Sequence, residues 1–156
     1  MTTTEQLPLR IHALRQLNPV LSCVLKSPWH GLASKRLLAL RHRGRKTGKS
    51  YTIPLAYVSY EGQTYCVTRN TQWWQNAVSA PSVTIWLRGR QLDVVAERVP
   101  STDAETRAVF EKFLAENPGT AQLVYRVRVD PAGKPDVADL EREIHHSNLV
   151  RFKGLA

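Results

Sequence analysis

Apolar positions recur with period two through the middle of the chain and with a helical period at both ends. Ile11, Leu14 and Leu17 stand at helical spacing, Asn18-Pro19 interrupts them, and Val20, Leu21, Val24 and Leu25 resume the pattern, which predicts two short amphipathic helices. Strand-like runs follow at 37–43, 51–60, 64–69, 83–87 and 91–99. The fourth is the plainest, with Val83, Ile85 and Leu87 alternating with Thr84, Trp86 and Arg88. A short helix over 71–80, carrying Trp73, Trp74 and Asn76, separates the third strand from the fourth. Thr102-Asp103-Ala104-Glu105 reads as a capping box opening a helix whose apolar face is Val109, Phe110, Phe113 and Leu114, and Asn117-Pro118-Gly119 stops it. Residues 119–128 carry no decisive pattern, and 130–135 is a loop. A helix over 137–143 then leads to a last strand over 148–153. Turns such as Glu61-Gly62-Gln63 and Arg88-Gly89-Arg90 are too short for parallel crossovers, so the sheet is mostly antiparallel and a doubly wound fold is disfavoured. The predicted class is α+β: a small antiparallel barrel decorated by helices.

At 156 residues the chain has the length of one domain. Residues 1–34 supply the N-terminal helices, 35–100 the barrel strands, and 101–156 the remaining helices and the last strand. No window reaches the roughly 18 uninterrupted apolar residues needed to span a bilayer, and no signal-peptide cleavage pattern follows the early apolar run. Cys23 and Cys66 are far apart and belong to no CxxC motif, which suits reduced thiols in a cytoplasmic protein.

Charge changes this picture. The formal net charge is +9, from 22 Lys and Arg against 13 Asp and Glu. Beyond residue 60 the signs balance, whereas the first 60 residues hold ten basic side chains and the single acid Glu5. Seven of those ten fall between Lys35 and Lys49, a local field that favours an anionic partner. The run Gly44-Arg45-Lys46-Thr47-Gly48-Lys49-Ser50 imitates a phosphate-binding P-loop. It is one residue short between its glycines, and a strand containing Pro54 follows instead of a helix, so nucleotide hydrolysis is not expected. It does gather three cations, two hydroxyls and glycine amides at a hairpin tip. Two or three charge-assisted hydrogen bonds of about 1.5 to 3 kcal/mol each are enough there to anchor a phosphate. Arg43 and Arg69, near strand ends, extend the candidate site. Pro54 marks an edge or a bulge. Trp73 and Trp74 are adjacent on a helix and face different ways, so one at most lines a pocket. The five histidines show no metal-ligand spacing, and neither a GxSxG elbow nor a Ser-His-Asp set is present. A basic amphipathic N-terminus also suits a peripheral membrane contact. A nucleic-acid platform is disfavoured, because aromatics do not interleave with the basic run.

The order of these parts carries a resemblance. Leu25-Lys26-Ser27-Pro28-Trp29-His30, then Leu40-Arg41-His42-Arg43 running into the GRKTGK turn, then Ile53-Pro54-Leu55, Trp73-Trp74-Gln75-Asn76 and Leu87-Arg88-Gly89-Arg90 together resemble the deazaflavin-dependent nitroreductase family. The likeness covers roughly residues 18 to 100. It implies a split β-barrel of the FMN-binding, pyridoxamine-oxidase-like type and a bound coenzyme F420, whose phosphate and oligoglutamate tail suit the basic first 60 residues. By the same resemblance, Arg43, Arg45, Lys46, Thr47 and Lys49 take the phosphate. Ile53, Pro54 and Leu55 lie beside the ring, Thr68, Arg69 and Asn70 border it, and Trp73 and Trp74 stand near it. The family's tyrosine-rich substrate stretch reduces to Tyr125.

The expected function is therefore hydride transfer from reduced F420 to an electron-poor small molecule such as a quinone, enone or nitro compound. Tyr125 and Tyr57 are the candidate proton donors. Two alternatives stay open from the residues alone. One is the same barrel holding FMN, heme or a fatty acid, and the other is a non-enzymatic basic module for nucleic acid or an anionic membrane.

Overall fold

The computed structural model describes Cys23, residues 35–69 and residues 71–154. Apart from Cys23, the segment expected to form N-terminal helices lies outside the described residues, as does Asn70. Among the described residues from 35 onward, seven strands and four helices follow in chain order: β1 (Leu37–Arg43), β2 (Ser50–Ala56), β3 (Val58–Tyr60), β4 (Gln63–Thr68), α1 (Trp73–Ser79), β5 (Val83–Leu87), β6 (Arg90–Val99), α2 (Ala104–Glu116), α3 (Pro118–Thr120), α4 (Val137–His146) and β7 (Asn148–Lys153). A π-helical turn, Ala121–Tyr125, continues α3.

All pairings are antiparallel, in the order β2-β1-β5-β6-β7-β4-β3. The strand expected over 51–60 is two strands, because the chain bends at Tyr57, whose amide donates to the Arg36 carbonyl (3.1 Å). β2 and β3 stand at opposite ends of the sheet order, yet only Tyr57 separates them in sequence. The bend therefore brings the two ends of the curled sheet together and produces the barrel. Hairpins at Glu61-Gly62 and Arg88-Gly89 are two-residue turns with positive φ at both positions, the geometry that matches strand twist.

The period-two pattern sorts side chains into two layers. Leu38, Leu40, Cys66, Ile85, Val94, Ala96, Val150 and Phe152 share the barrel interior, into which α1 inserts Trp73 and Ala77. The opposite parity of β4 and β7, with Tyr65, Val67 and Leu149, packs under Val109, Phe110, Phe113 and Leu114 of α2, Tyr125 of the π turn, and Leu140 and Ile144 of α4. Each fully buried Phe or Leu in these layers contributes about 1.5 to 3 kcal/mol of transfer free energy.

One local expectation fails for an identifiable reason. The capping box is not made: Asp103 is the N-cap of α2 without a side-chain bond. Glu105 turns instead to the sheet, accepting from the Tyr65 hydroxyl and from Arg151 (3.2 Å), which also reaches Glu97 (2.8 Å). A stronger, partly buried ionic partner outcompetes one backbone amide. The stop at Asn117 holds for α2, where its side-chain amide donates to the Phe113 carbonyl (2.9 Å), but Pro118 restarts helix at once. The restarted turn ends at Arg126, with φ +54°.

Candidate cofactor site

The loop of residues 44–49 joins β1 to β2, whose last facing pair is Arg43 and Ser50. It is closed by hydrogen bonds from the Gly44 amide to the Lys49 carbonyl (2.9 Å) and from the Gly48 amide to the Gly44 carbonyl (2.8 Å). A Cβ on Gly44 would stand 2.7 Å from Thr47 Oγ1 and 3.0 Å from a Tyr51 ring carbon, so any side chain there disrupts the packing of the turn. As the sequence requires, β2 follows this loop and no helix does.

The turn is tied to α1. Asn76 Oδ1 accepts from the Arg45 backbone amide (3.3 Å) and from Arg45 Nε (3.2 Å), while Arg45 also donates to Gln75 Oε1 (2.5 Å). The other end of the Asn76 amide lies 3.4 Å from His42 Nδ1, and the His42 ring stacks on Tyr51 with centroids 5.6 Å apart. Burial lowers the His42 pKa, opposed by a weaker backbone hydrogen bond at Arg43. The neutral ring therefore accepts from Asn76, which leaves Asn76 Oδ1 for Arg45.

These groups line one side of a cleft of about 580 Å³, within the range of roughly 300 to 1,000 Å³ typical of cofactor sites. Arg45, Lys46 and Thr47 stand at its basic end, and Ile53, Pro54 and Leu55 of β2 form its wall. β2 is an edge strand beyond β1, so Pro54 costs the ladder nothing on its open side. Thr68, Arg69 and Trp73 border the cleft opposite, with the Trp73 indole donating to Thr68 Oγ1 (3.1 Å), and Val124 and Tyr125 complete it. The arrangement offers cations and amides for a phosphate beside an apolar wall for a planar ring.

Four sequence-derived candidates lie outside this lining: Arg43, Lys49, Trp74 and Tyr57. Trp74 carries the Arg98 guanidinium over its ring (5.5 Å), and so faces away from Trp73. Tyr57 is packed in the barrel interior, with Arg88 Nε 3.2 Å from its hydroxyl. Tyr125 does reach the cleft, but its hydroxyl donates to the Val67 carbonyl (2.9 Å). Burial, and then the charge of Glu143, push its pKa well up, so the proton stays on the phenol. Sequence reasoning missed His42, Tyr51 and Asn76 as neighbours of the turn. For Asn76 a signal existed, its i,i+3 spacing from Trp73; the two partners on β1 and β2 had none.

Behind the cleft, Glu143 is completely buried. Its Oε1 accepts from Ser147 Oγ (2.6 Å) and lies 3.5 Å from Arg69 Nε, whereas Oε2 has no hydrogen-bond partner among the described residues. A buried carboxylate with one unmet oxygen leans heavily on its remaining partners, which fixes Arg69 at the edge of the cleft.

Solved structures share this architecture. Similar chains include one described as a domain-swapped dimer (16% identity, TM-score 0.53, covering 93% of this chain and 96% of that one). A conserved hypothetical protein from Mycobacterium tuberculosis has 15% identity and a TM-score of 0.53, covering 88% and 79%. The heme storage protein HutZ from Vibrio cholerae has 11% identity and a TM-score of 0.51, covering 97% and 92%. Among curated proteins, none matches the sequence. The fold is a split β-barrel, with a cationic hairpin turn set against an apolar edge strand. The F420H(2)-dependent quinone reductase family model matches residues 27–132. The chain belongs to that family, and it is an F420-dependent reductase. Among the described residues no helix is long and apolar enough to cross a membrane, and no cluster of His, Cys, Asp and Glu is suited to a metal ion.

Proposed function

We propose that this reductase acts on an electron-poor small molecule of the quinone type, holding F420 with its phosphate at the 44–49 turn and its ring along Ile53, Pro54 and Leu55. The observation that carries this reading is the meeting, in one cleft, of the Arg45–Lys46–Thr47 corner with the β2 wall. Gly44 lets the turn fold tightly, Asn76 orients the Arg45 fork, and the apolar wall keeps water from one face of the ring. When bound, the cofactor supplies a hydride, and one proton completes the reduction of a quinone to a hydroquinone. That proton comes from water at the cleft mouth in this reading. The Tyr125 hydroxyl is committed to Val67, so its ring serves as a wall, and buried Tyr57 has a structural role.

The test is parallel titration of the purified chain with F420, FMN and heme, followed by ligand absorbance or fluorescence. F420 is expected to bind at least about tenfold tighter than either competitor, a margin of about 1.4 kcal/mol. Tighter binding of FMN or heme would replace the deazaflavin assignment.

A further inference from the structure

A second cleft, of about 450 Å³, adjoins the first across Arg69 and Tyr125, which line both. Its other lining residues are Arg126, Arg128, Arg142 and Asp139, so the lining carries four guanidinium groups and one carboxylate, with Asp136 and Glu143 behind it. Three of the cations, Arg69, Arg128 and Arg142, are held by a prepared scaffold. Asp139 receives Arg128 Nε (2.8 Å) on one oxygen and an Arg142 terminal nitrogen (2.9 Å) on the other, and its own amide donates to Asp136 Oδ1 (3.0 Å). Arg142 uses its second terminal nitrogen on the Arg126 carbonyl (3.2 Å), and Arg128 also reaches Asp136 (3.3 Å). Arg69 leans on buried Glu143. These bonds drive the Asp139 carboxyl far below the usual carboxylate range, chiefly through Arg128, so the scaffold stays charged. Two of the five N–H groups of Arg142 are spent on orientation, and the planar fork suits a carboxylate better than a point charge would.

A neutral quinone gains nothing from such a surface. We propose that the second cleft is a carboxylate-binding subsite for the electron acceptor: the reducible head lies in the first cleft and an anionic substituent reaches past Arg69 and Tyr125 to Arg126 and Arg142. This deepens the quinone-type reading above and rests on it. The carboxylates of the cofactor's own tail have the same chemistry, so the experiment separates the two sources.

An anthraquinone carboxylate and its isosteric carboxamide are titrated into the cofactor-free chain, followed by calorimetry, and F420 is titrated in a separate series. The wild type is expected to bind the carboxylate about tenfold or more tighter than the carboxamide. The Arg126→Gln/Arg142→Gln double variant removes that preference, leaving carboxamide and F420 affinities unchanged. Arg142→Lys, which keeps the charge, retains part of the preference and controls for misfolding. Equal binding of the two probes by the wild type, or a preference that survives the double variant, overturns the subsite. A preference lost together with F420 affinity transfers the cleft to the cofactor's tail and overturns the acceptor assignment. Wild-type chain that binds the carboxylate but not F420 overturns the reductase reading and the acceptor role with it, a result distinct from failure of the subsite alone.

Discussion

His42 shows how one residue's protonation bears on the cleft. Its pKa is lowered by burial, so below the unfolded value of 6.5 the unfolded chain takes up a proton that the native chain resists. The stability this histidine contributes is therefore complete above that value and is lost as pH falls from it through the folded pKa. Protonation would also set an N–H against the Asn76 amide nitrogen that now faces Nδ1. Between about pH 7 and pH 5 the wild type is expected to lose more thermal stability than His42→Gln. Calorimetric melting curves at several pH values check this, and parallel pH profiles for the two proteins would contradict it. Gly44 makes a steric counterpart. An alanine Cβ 2.7 Å from Thr47 Oγ1 forces the turn to shift, so Gly44→Ala should weaken F420 binding more than it lowers the melting temperature. A variant with full affinity in fluorescence titration would remove the turn's shape from the account.

Among the elements, the hairpin turn and α1 act as a pair. Arg45 is useful to a phosphate only if its fork is held, and Asn76 and Gln75 hold it. Losing two charge-assisted contacts of about 1.5 to 3 kcal/mol each should weaken F420 binding by about two or more orders of magnitude in Arg45→Ala/Lys46→Ala. The barrel, which buries neither side chain, should melt as before. Unchanged affinity would end the phosphate role of this turn. The sequence made the turn legible, because its glycines and cations are local, and it made the strands legible through their period. It did not disclose the bend at Tyr57, since a continuous β-favouring run is what both a straight and a bent strand look like. Nor did it disclose that Glu105 would leave its capping box for Arg151, or that Asn76 would meet His42. Those contacts join residues 46 and 34 positions apart, and no local pattern encodes them.

In the molecule as a whole, the curled sheet serves two faces: an interior sealed by α1, and an outer face roofed by α2, the π turn and α4. The cleft lies where these meet, between the edge strand β2, the end of β4, α1 and the π turn. The basic excess of the first 60 residues reaches it through the β1–β2 turn, which joins the chain's charge asymmetry to its fold. A crystal structure of the chain with F420 bound tests this arrangement most directly. The account predicts the phosphate within hydrogen-bonding distance of Arg45, Lys46 or Thr47, and the ring flat against Ile53, Pro54 and Leu55. Electron density placing the phosphate elsewhere, with the 44–49 turn free of contact with the cofactor, would contradict it.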